Sequence, residues 1–409
     1  MTAASPTAGR AARPTAGRGA RDGLPLVLAL CASLVALSAL WKGVCVDSTR
    51  NFRVTCYSDV LELWTSRDLA AGRFPYVDGR LVDGAPVDTF EYPVLTGVFV
   101  WASSLLADDR ASFLVVSTVL LAPFALLTAA QLHRMAGRRA LLWAAAPALV
   151  LYALHNWDLL VVAAATSGTW AWWRGRTTWA AVLFAVGACL KVYPGLFLLP
   201  LAADRLADGD RAGALRVVLA GGLTVVGANL PFVLADRDGW ATTYVFQRAR
   251  AADSSSNSIW FWVSPHLTTE QLNRLVPVLV VGALLVALAV GRRRSRAEGD
   301  FPLVQVCGAV LVAFLLVNKV NSPQYTLWVL PFLVLLRVRW GWWAVVAVAD
   351  VLVYVGVFRW FDALLTGGDT TLPERALVVG VWTRSAVLAL LFPVLLLARP
   401  AFSRPTGRT

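Results

Sequence analysis

A few short stretches of this chain carry side chains whose types and spacing suit chemistry. In CYSDVLELW (residues 56–64), Asp59 and Glu62 stand three apart, while Tyr57, Val60, Leu61 and Trp64 recur at i, i+3, i+4 and i+7. That period predicts a short amphipathic helix with its acids off the apolar face and Ser58 as N-cap. A carboxylate so placed can take a proton from an attacking hydroxyl. It can also be a solvated charge, and the spacing alone leaves both readings open. Lys191, in LKVYP, stands inside an apolar run, where an ionisable group is expensive and a lysine suits a compact anion such as a phosphate. Its alternative is to snorkel to the interface. Lys319, in NKVNSPQY (318–325), is a second cation nearer a helix end, followed by Gln324 and Tyr325.

HNWD (155–158) offers His155, Asn156 and Asp158 as polar contacts to a sugar or phosphate, or as an ordinary capping turn. His155 and Asp158 at i, i+3 are two ligands, which do not make a metal site. The segment 235–271 sets Arg248 and Arg250 beside Trp260, Phe261, Trp262 and His266. Arginines among aromatics suit an anionic group next to a sugar face, although an interfacial aromatic belt has the same composition. Asp350, inside the apolar run 341–361, is a candidate counter-ion to Lys191 or Lys319. No Walker loop, dinucleotide fingerprint, nucleophile elbow or cysteine metal motif occurs in the sequence, so neither a metal nor a cofactor is expected.

These residues hang on a chain that is 58% hydrophobic with 18 tryptophans among 409 residues. Repeated long apolar runs predict an all-α polytopic membrane protein, because only helices satisfy their own backbone in lipid. The first run, from Leu24 to Trp41, follows an arginine-rich tail and lacks a small-residue cleavage site. It reads as an uncleaved anchor with its N-terminus in the cytoplasm. The organisation expected is a disordered basic tail (1–23), a membrane-embedded domain (24–398) with a first outer loop at 45–92 and a long outer loop at 235–271, and a cytoplasmic tail (399–409). The net charge of +12 does not point to nucleic acid. Its clusters at 134–139, 174–176, 204–216, 292–296 and 337–339 all fall between apolar runs, the positive-inside pattern.

Only three of the 37 basic residues are lysines, in an alanine- and arginine-rich chain of the kind a high-GC bacterial genome produces. Cys31, Cys189 and Cys307 lie in apolar runs as small core residues. Cys45 and Cys56 flank the start of the first outer loop and can close a disulfide or remain two thiols. Two segments decide the topology. PVLTGVFVWASSLLA (93–107) is read as re-entrant or interfacial, and 179–205 as two short helices broken between Lys191 and Pro194. With both choices the chain makes twelve spans, and every basic cluster falls on the cytoplasmic side.

FPYVDG…EYPVLTG, LKVYPGLFLLPL and NSPQYTLWVLP together resemble glycosyltransferase family 87, the polyprenyl-phosphate-mannose-dependent mannosyltransferases of the GT-C superfamily. The resemblance runs over most of 24–398. It implies a GT-C fold, a catalytic aspartate in the first outer loop, matched by Asp59, and a lipid-linked donor used without a nucleotide. Lys191 matches the lysine of the family's lysine-x-tyrosine-proline stretch.

The activity then expected is inverting transfer of a sugar, mannose in this family, from a polyprenyl phosphate to a glycolipid, lipoglycan or polysaccharide, on the outer face of a bacterial cell membrane. Asp59 would be the base, and Lys191, Arg248, Arg250 and Lys319 would meet the donor phosphate. Glu62, Glu91, Tyr92, His155, Asn156, Asp158, Tyr193, His266, Gln324 and Tyr325 would line the sugar and acceptor pocket. The rival is a transporter or flippase of a lipid-linked sugar, which would bind the same headgroup but need no base.

Overall fold

A computed structural model describes residues 23–263 and 266–403. Helix α1 (Leu24–Gly43) is followed by a first loop holding α2 (Asp59–Ser66) and a small hairpin of β1 (Arg80–Val82) and β2 (Ala85–Val87). Then come α3 (Val94–Ser104), α4 (Arg110–Ala136), α5 (Leu141–Ala144), α6 (Pro147–Tyr152), α7 (Asp158–Trp173), α8 (Thr177–Leu190) and α9 (Leu198–Ala207). The second half holds α10 (Arg211–Ala235), α11 (Arg237–Ala249), α12 (Ile259–Val263), α13 (Thr269–Glu298), α14 (Leu303–Val317), α15 (Thr326–Leu335), α16 (Trp340–Thr366) and α17 (Thr371–Leu397).

Among the described residues six helices are long and apolar enough to cross a bilayer: α1, α4 with its extension into α5, α10, α13, α16 and α17. The expectation of twelve spans is therefore not met by helix length. Between the long helices lie three pairs of short ones: α6 with α7, α8 with α9, and α14 with α15. At 1.5 Å per residue the 14 residues of α8 reach about 21 Å, short of a hydrocarbon core of about 30 Å. The 11 residues of α3 reach about 16 Å, so 93–107 forms no helix of spanning length, as its reading required.

The break at Lys191 has the expected local cause. Helix α8 stops at Leu190, Lys191 is extended, and a turn of 3₁₀-helix begins at Tyr193–Pro194. Proline has no N–H to continue the ladder and drives its predecessor out of the helical region. The chain then folds back on itself. Pro194 packs against Gly187, where a side-chain Cβ would lie 2.8 Å from the proline ring. Farther along α9, the Trp172 indole donates to Asp204 at 3.1 Å, joining the end of α7 to α9.

That contact belongs to a larger pattern. The Arg139 guanidinium donates to the carbonyls of Leu333, Val334 and Leu336, and Arg294 donates to Leu396. Arg337 pairs through its backbone N–H with Arg399, and Trp173 donates to the Ser403 carbonyl. Gly23, at the start of α1, lies against His133 of α4. The loops at 134–139, 174–176, 204–211, 292–296 and 337–339 thus gather at one end of the molecule, around the chain's last described residues. The 20 residues of α1 carry the backbone about 30 Å from there to Lys42, at the opposite end.

Candidate active site

At that opposite end the tips of the three short-helix pairs converge under the first loop. Asp158, which opens α7, accepts at one oxygen from Lys191 Nζ at 2.8 Å and from the Trp328 indole of α15 at 2.7 Å. The carboxylate is fully buried and Lys191 nearly so. Taking two charges out of water costs several kcal/mol per ion unless each is paired and hydrogen-bonded, which explains why these partners meet. The ammonium also lies 5.4–5.6 Å from the ring centres of Tyr92, Tyr325 and Trp328. Tyr193 and Tyr325 both stack with the Trp328 indole, at 4.4 and 3.9 Å between ring centres. Lys191 is therefore held in an aromatic box, and the second oxygen of Asp158 is buried without a hydrogen-bond partner.

Asp59 opens α2, and its backbone N–H is bonded to the His155 carbonyl at 2.8 Å. The side chain is half-buried and accepts from Asn156 Nδ2 at 2.7 Å. The same amide nitrogen lies 2.6 Å from the Tyr92 hydroxyl. One tyrosine thus connects two charged centres: its hydroxyl meets the amide that holds Asp59, and its ring faces Lys191. Burial, and then the Asp59 charge, push the Tyr92 hydroxyl well above the usual phenol range, so it stays protonated. The helix itself matches the spacing, with Val60, Leu61 and Trp64 buried. Ser58 occupies the N-cap position but does not cap through its side chain. Its hydroxyl instead donates to the Leu154 carbonyl, which ties the loop to the HNWD turn.

A fully buried lysine, Lys42, supports this arrangement from below. Its ammonium donates to the Tyr57 carbonyl at 2.7 Å and to the Tyr354 hydroxyl at 2.9 Å, and it lies 3.4 Å from His155 Nδ1. Burial, and then the nearby Lys42 charge, hold His155 down to about 3, so its ring is neutral at ordinary pH. Cys45 and Cys56 are joined in a disulfide immediately before Tyr57, closing the stretch that leads to Asp59. The other three cysteines are buried and free, as their apolar surroundings predict.

Several candidate residues have other occupations. Glu62 binds Asn51 at 2.9 Å and Arg110 at 2.6 Å, and Glu91 is bidentate with Arg67 at 2.8 and 3.1 Å. Both acids hold the first loop together beside the site. The Lys319 ammonium is engaged by the carbonyls of Gln247, Arg248 and Arg250 and by Asn273 Oδ1. It works as a clamp on the end of α11, and burial, then Arg250, lower its pKa. Arg248 and His266 are exposed and Arg250 is half-buried. Asp350 is the counter-ion of neither lysine: it accepts from Thr326 at 2.6 Å, and the facing charge is that of buried Arg384. Arg384 in turn holds the Asn321 and Ser322 carbonyls and Asn321 Oδ1, fixing the turn before Gln324, which is buried.

The segment 235–271 is more ordered than a loop, with α11 laid across the hairpin. Thr243 donates to the Phe90 carbonyl and Gln247 to that of Glu91.

Sequence reasoning missed Lys42, Trp328 and Arg384. The scarcity of lysine was a usable signal for Lys42. The other two gave none, because their importance comes from partners far along the chain.

A family model for glycosyltransferase family 87 matches residues 90–318, more than half of the chain. The chain belongs to glycosyltransferase family 87. It is therefore a membrane glycosyltransferase, the first of the two functions its sequence suggested. The matched region contains Tyr92, the HNWD turn and Lys191, while Asp59 lies before it. No curated protein matches the chain. Among the described residues no group of three or more His, Cys, Asp or Glu could hold a metal ion. What the site offers this glycosyltransferase is a half-buried carboxylate oriented by an amide, next to a lysine whose charge is balanced and enclosed by aromatic rings.

Proposed function

We propose that the protein is an inverting transferase that moves mannose from a polyprenyl-phosphate donor to a glycolipid, lipoglycan or polysaccharide acceptor at the outer face of a bacterial cell membrane. The acceptor hydroxyl gives its proton to Asp59 as its oxygen bonds to the anomeric carbon, and the bond from that carbon to the phosphate oxygen breaks. The electron pair leaves with the lipid phosphate, a stable anion that needs cationic stabilisation more than a proton. Asn156 orients the carboxylate, and Lys191 faces the leaving phosphate with its charge kept in place by Asp158. The basic end of the molecule is the cytoplasmic one in this reading, by the positive-inside rule.

The observation that carries the reading is the chain from Asp59 through Asn156 to Tyr92, whose ring covers Lys191. In this reading the base and the cation are linked through one tyrosine, with attack on one face of the sugar and departure from the other. Arg248, Arg250 and Lys319 are left to the rim, since Lys319 is already saturated by carbonyls. The test is transfer from radiolabelled polyprenyl-phosphate mannose to a membrane extract by the purified protein in nanodiscs, with Asp59→Asn alongside. Transfer by wild type that vanishes in the variant, with donor binding retained, is the expected result. Equal transfer by both would remove Asp59 from the role of base.

A further inference from the structure

A cavity of about 220 Å³ opens in the first loop, lined among others by Arg67, Arg73, Asp88, Thr89, Phe90 and Phe246. It stands at the other end of α2 from Asp59, about 12 Å along the helix at 1.5 Å per residue. Its two arginines carry no spare charge. Arg67 has all three nitrogens engaged, by Glu91 and the Ser66 carbonyl, whereas the Lys191 ammonium has Asp158 as its one hydrogen-bond partner among the described residues. Arg73 reaches Asp88 at 2.8 Å and Asp68 at 3.4 Å. A phosphate would have to displace one of these carboxylates, so the cavity is unsuited to the donor's anionic group. A neutral molecule with many hydroxyls meets no such obstacle. The fixed guanidinium and carboxylate edges supply donors and acceptors, and Phe90 and Phe246 supply apolar faces. This mixture of apolar walls with a few placed polar groups is what small-molecule sites use.

One further observation bears on a ligand. Thr89 lines the cavity and its Oγ1 has no hydrogen-bond partner among the described residues, so a bound hydroxyl would meet it after a rotation about χ1. The volume is below the roughly 300 Å³ at which sites for drug-sized ligands begin, which leaves room for one ring.

We propose that this cavity is an acceptor subsite that takes one neutral hexopyranose unit of the glycan, held apart from the sugar whose hydroxyl is attacked at Asp59. The proposal rests on the transferase reading above for the word acceptor, but not for the binding itself. The test uses the full chain in nanodiscs and follows methyl α-mannopyranoside by saturation-transfer NMR, with mannose 1-phosphate as the charged comparison. Wild type and Phe246→Tyr should bind the methyl glycoside alike. Phe246→Ala should weaken it roughly tenfold and Thr89→Val a few-fold, with melting temperatures unchanged. In the transfer assay the same two variants should raise the acceptor KM while kcat and the donor KM stay put.

Methyl glycoside binding that ignores both substitutions would overturn the subsite. So would mannose 1-phosphate binding more tightly than the methyl glycoside and depending on the same residues. If instead Asp59→Asn transferred as well as wild type while glycoside binding still depended on Phe246, the subsite would stand and the assignment of the base would fall.

Discussion

The two ends of the molecule use positive charge in opposite ways. At the basic end, arginines are numerous, and some serve the backbone: Arg139 alone holds three carbonyls, from the last turn of α15 and the residue after it. At the site end, arginines such as Arg67, Arg73 and Arg110 pair with acids of the first loop, while two lysines are enclosed. Lys42 and Lys191 are buried among phenols, an indole, an imidazole and a carboxylate. A guanidinium keeps its charge and spreads five donors over several acceptors, which suits fastening loops together. An ammonium is a compact point charge whose geometry a small box of rings can define, which suits a ligand's charged group. Lys191 is held by side chains that converge from separate helices, whereas Arg139 is spent on carbonyls.

The comparison can be broken most decisively at Asp59. Replacing it with asparagine should lower kcat by about 10²–10⁴-fold, measured as transfer at saturating donor, without loss of the folded protein. Next comes the Lys191–Asp158 pair. Asp158→Ala leaves a buried ammonium unpaired and should destabilise the protein by about 3–5 kcal/mol, read from denaturant or thermal unfolding. Lys191→Met together with Asp158→Leu should recover much of that stability yet remain inactive. Recovery of activity in the double variant would show the pair to be scaffold only.

At the other end, Arg139→Ala should cost about 1–3 kcal/mol by orphaning carbonyls, with transfer per folded molecule unchanged. A fall in kcat there would erase the distinction between the two ends. The smallest perturbation is a labelling experiment in which single cysteines at Ala107 and Gly175 are probed with an impermeant thiol reagent in intact cells. Position 107 should label and 175 should not. Labelling of 175 but not of 107 would mean that 93–107 crosses the membrane and does not return to the side it left.

A pH series sharpens the same contrast through His155. Its folded value of about 3 lies below the ordinary 6.5, so between those values the unfolded chain binds a proton that the folded one refuses. Stability should therefore be unaffected by this group above about pH 6.5, fall as pH drops toward 3, and level off below that. A His155→Gln variant should lose this part of the dependence, while variants at the basic end keep it.

Much was legible along the chain because its causes are local. The break after Leu190 follows from one proline, and α2 follows from a 3.6-residue period whose apolar members are the ones found buried. The error at Ser58 is instructive: the residue type is right for a cap, but the Leu154 carbonyl, 96 residues away, takes its hydroxyl. Helix length alone shows six spans, because other apolar runs form short helices that pair at polar tips instead of reaching spanning length one by one.

By itself the sequence determined that the chain is helical and membrane-bound, where its basic loops fall, and that Asp59 and Lys191 were worth attention. Composition, period and proline act within a few residues and can be read one segment at a time. Only the tertiary structure decided that Lys191 belongs to Asp158 and three aromatic rings, that Asn156 joins Asp59 to Tyr92, and that Lys319 and Asp350 belong elsewhere. Those pairings link residues from tens to hundreds of positions apart. They are selected by the cost of leaving a charge or a donor alone in a dry interior, and that cost comes into force only once the helices have packed.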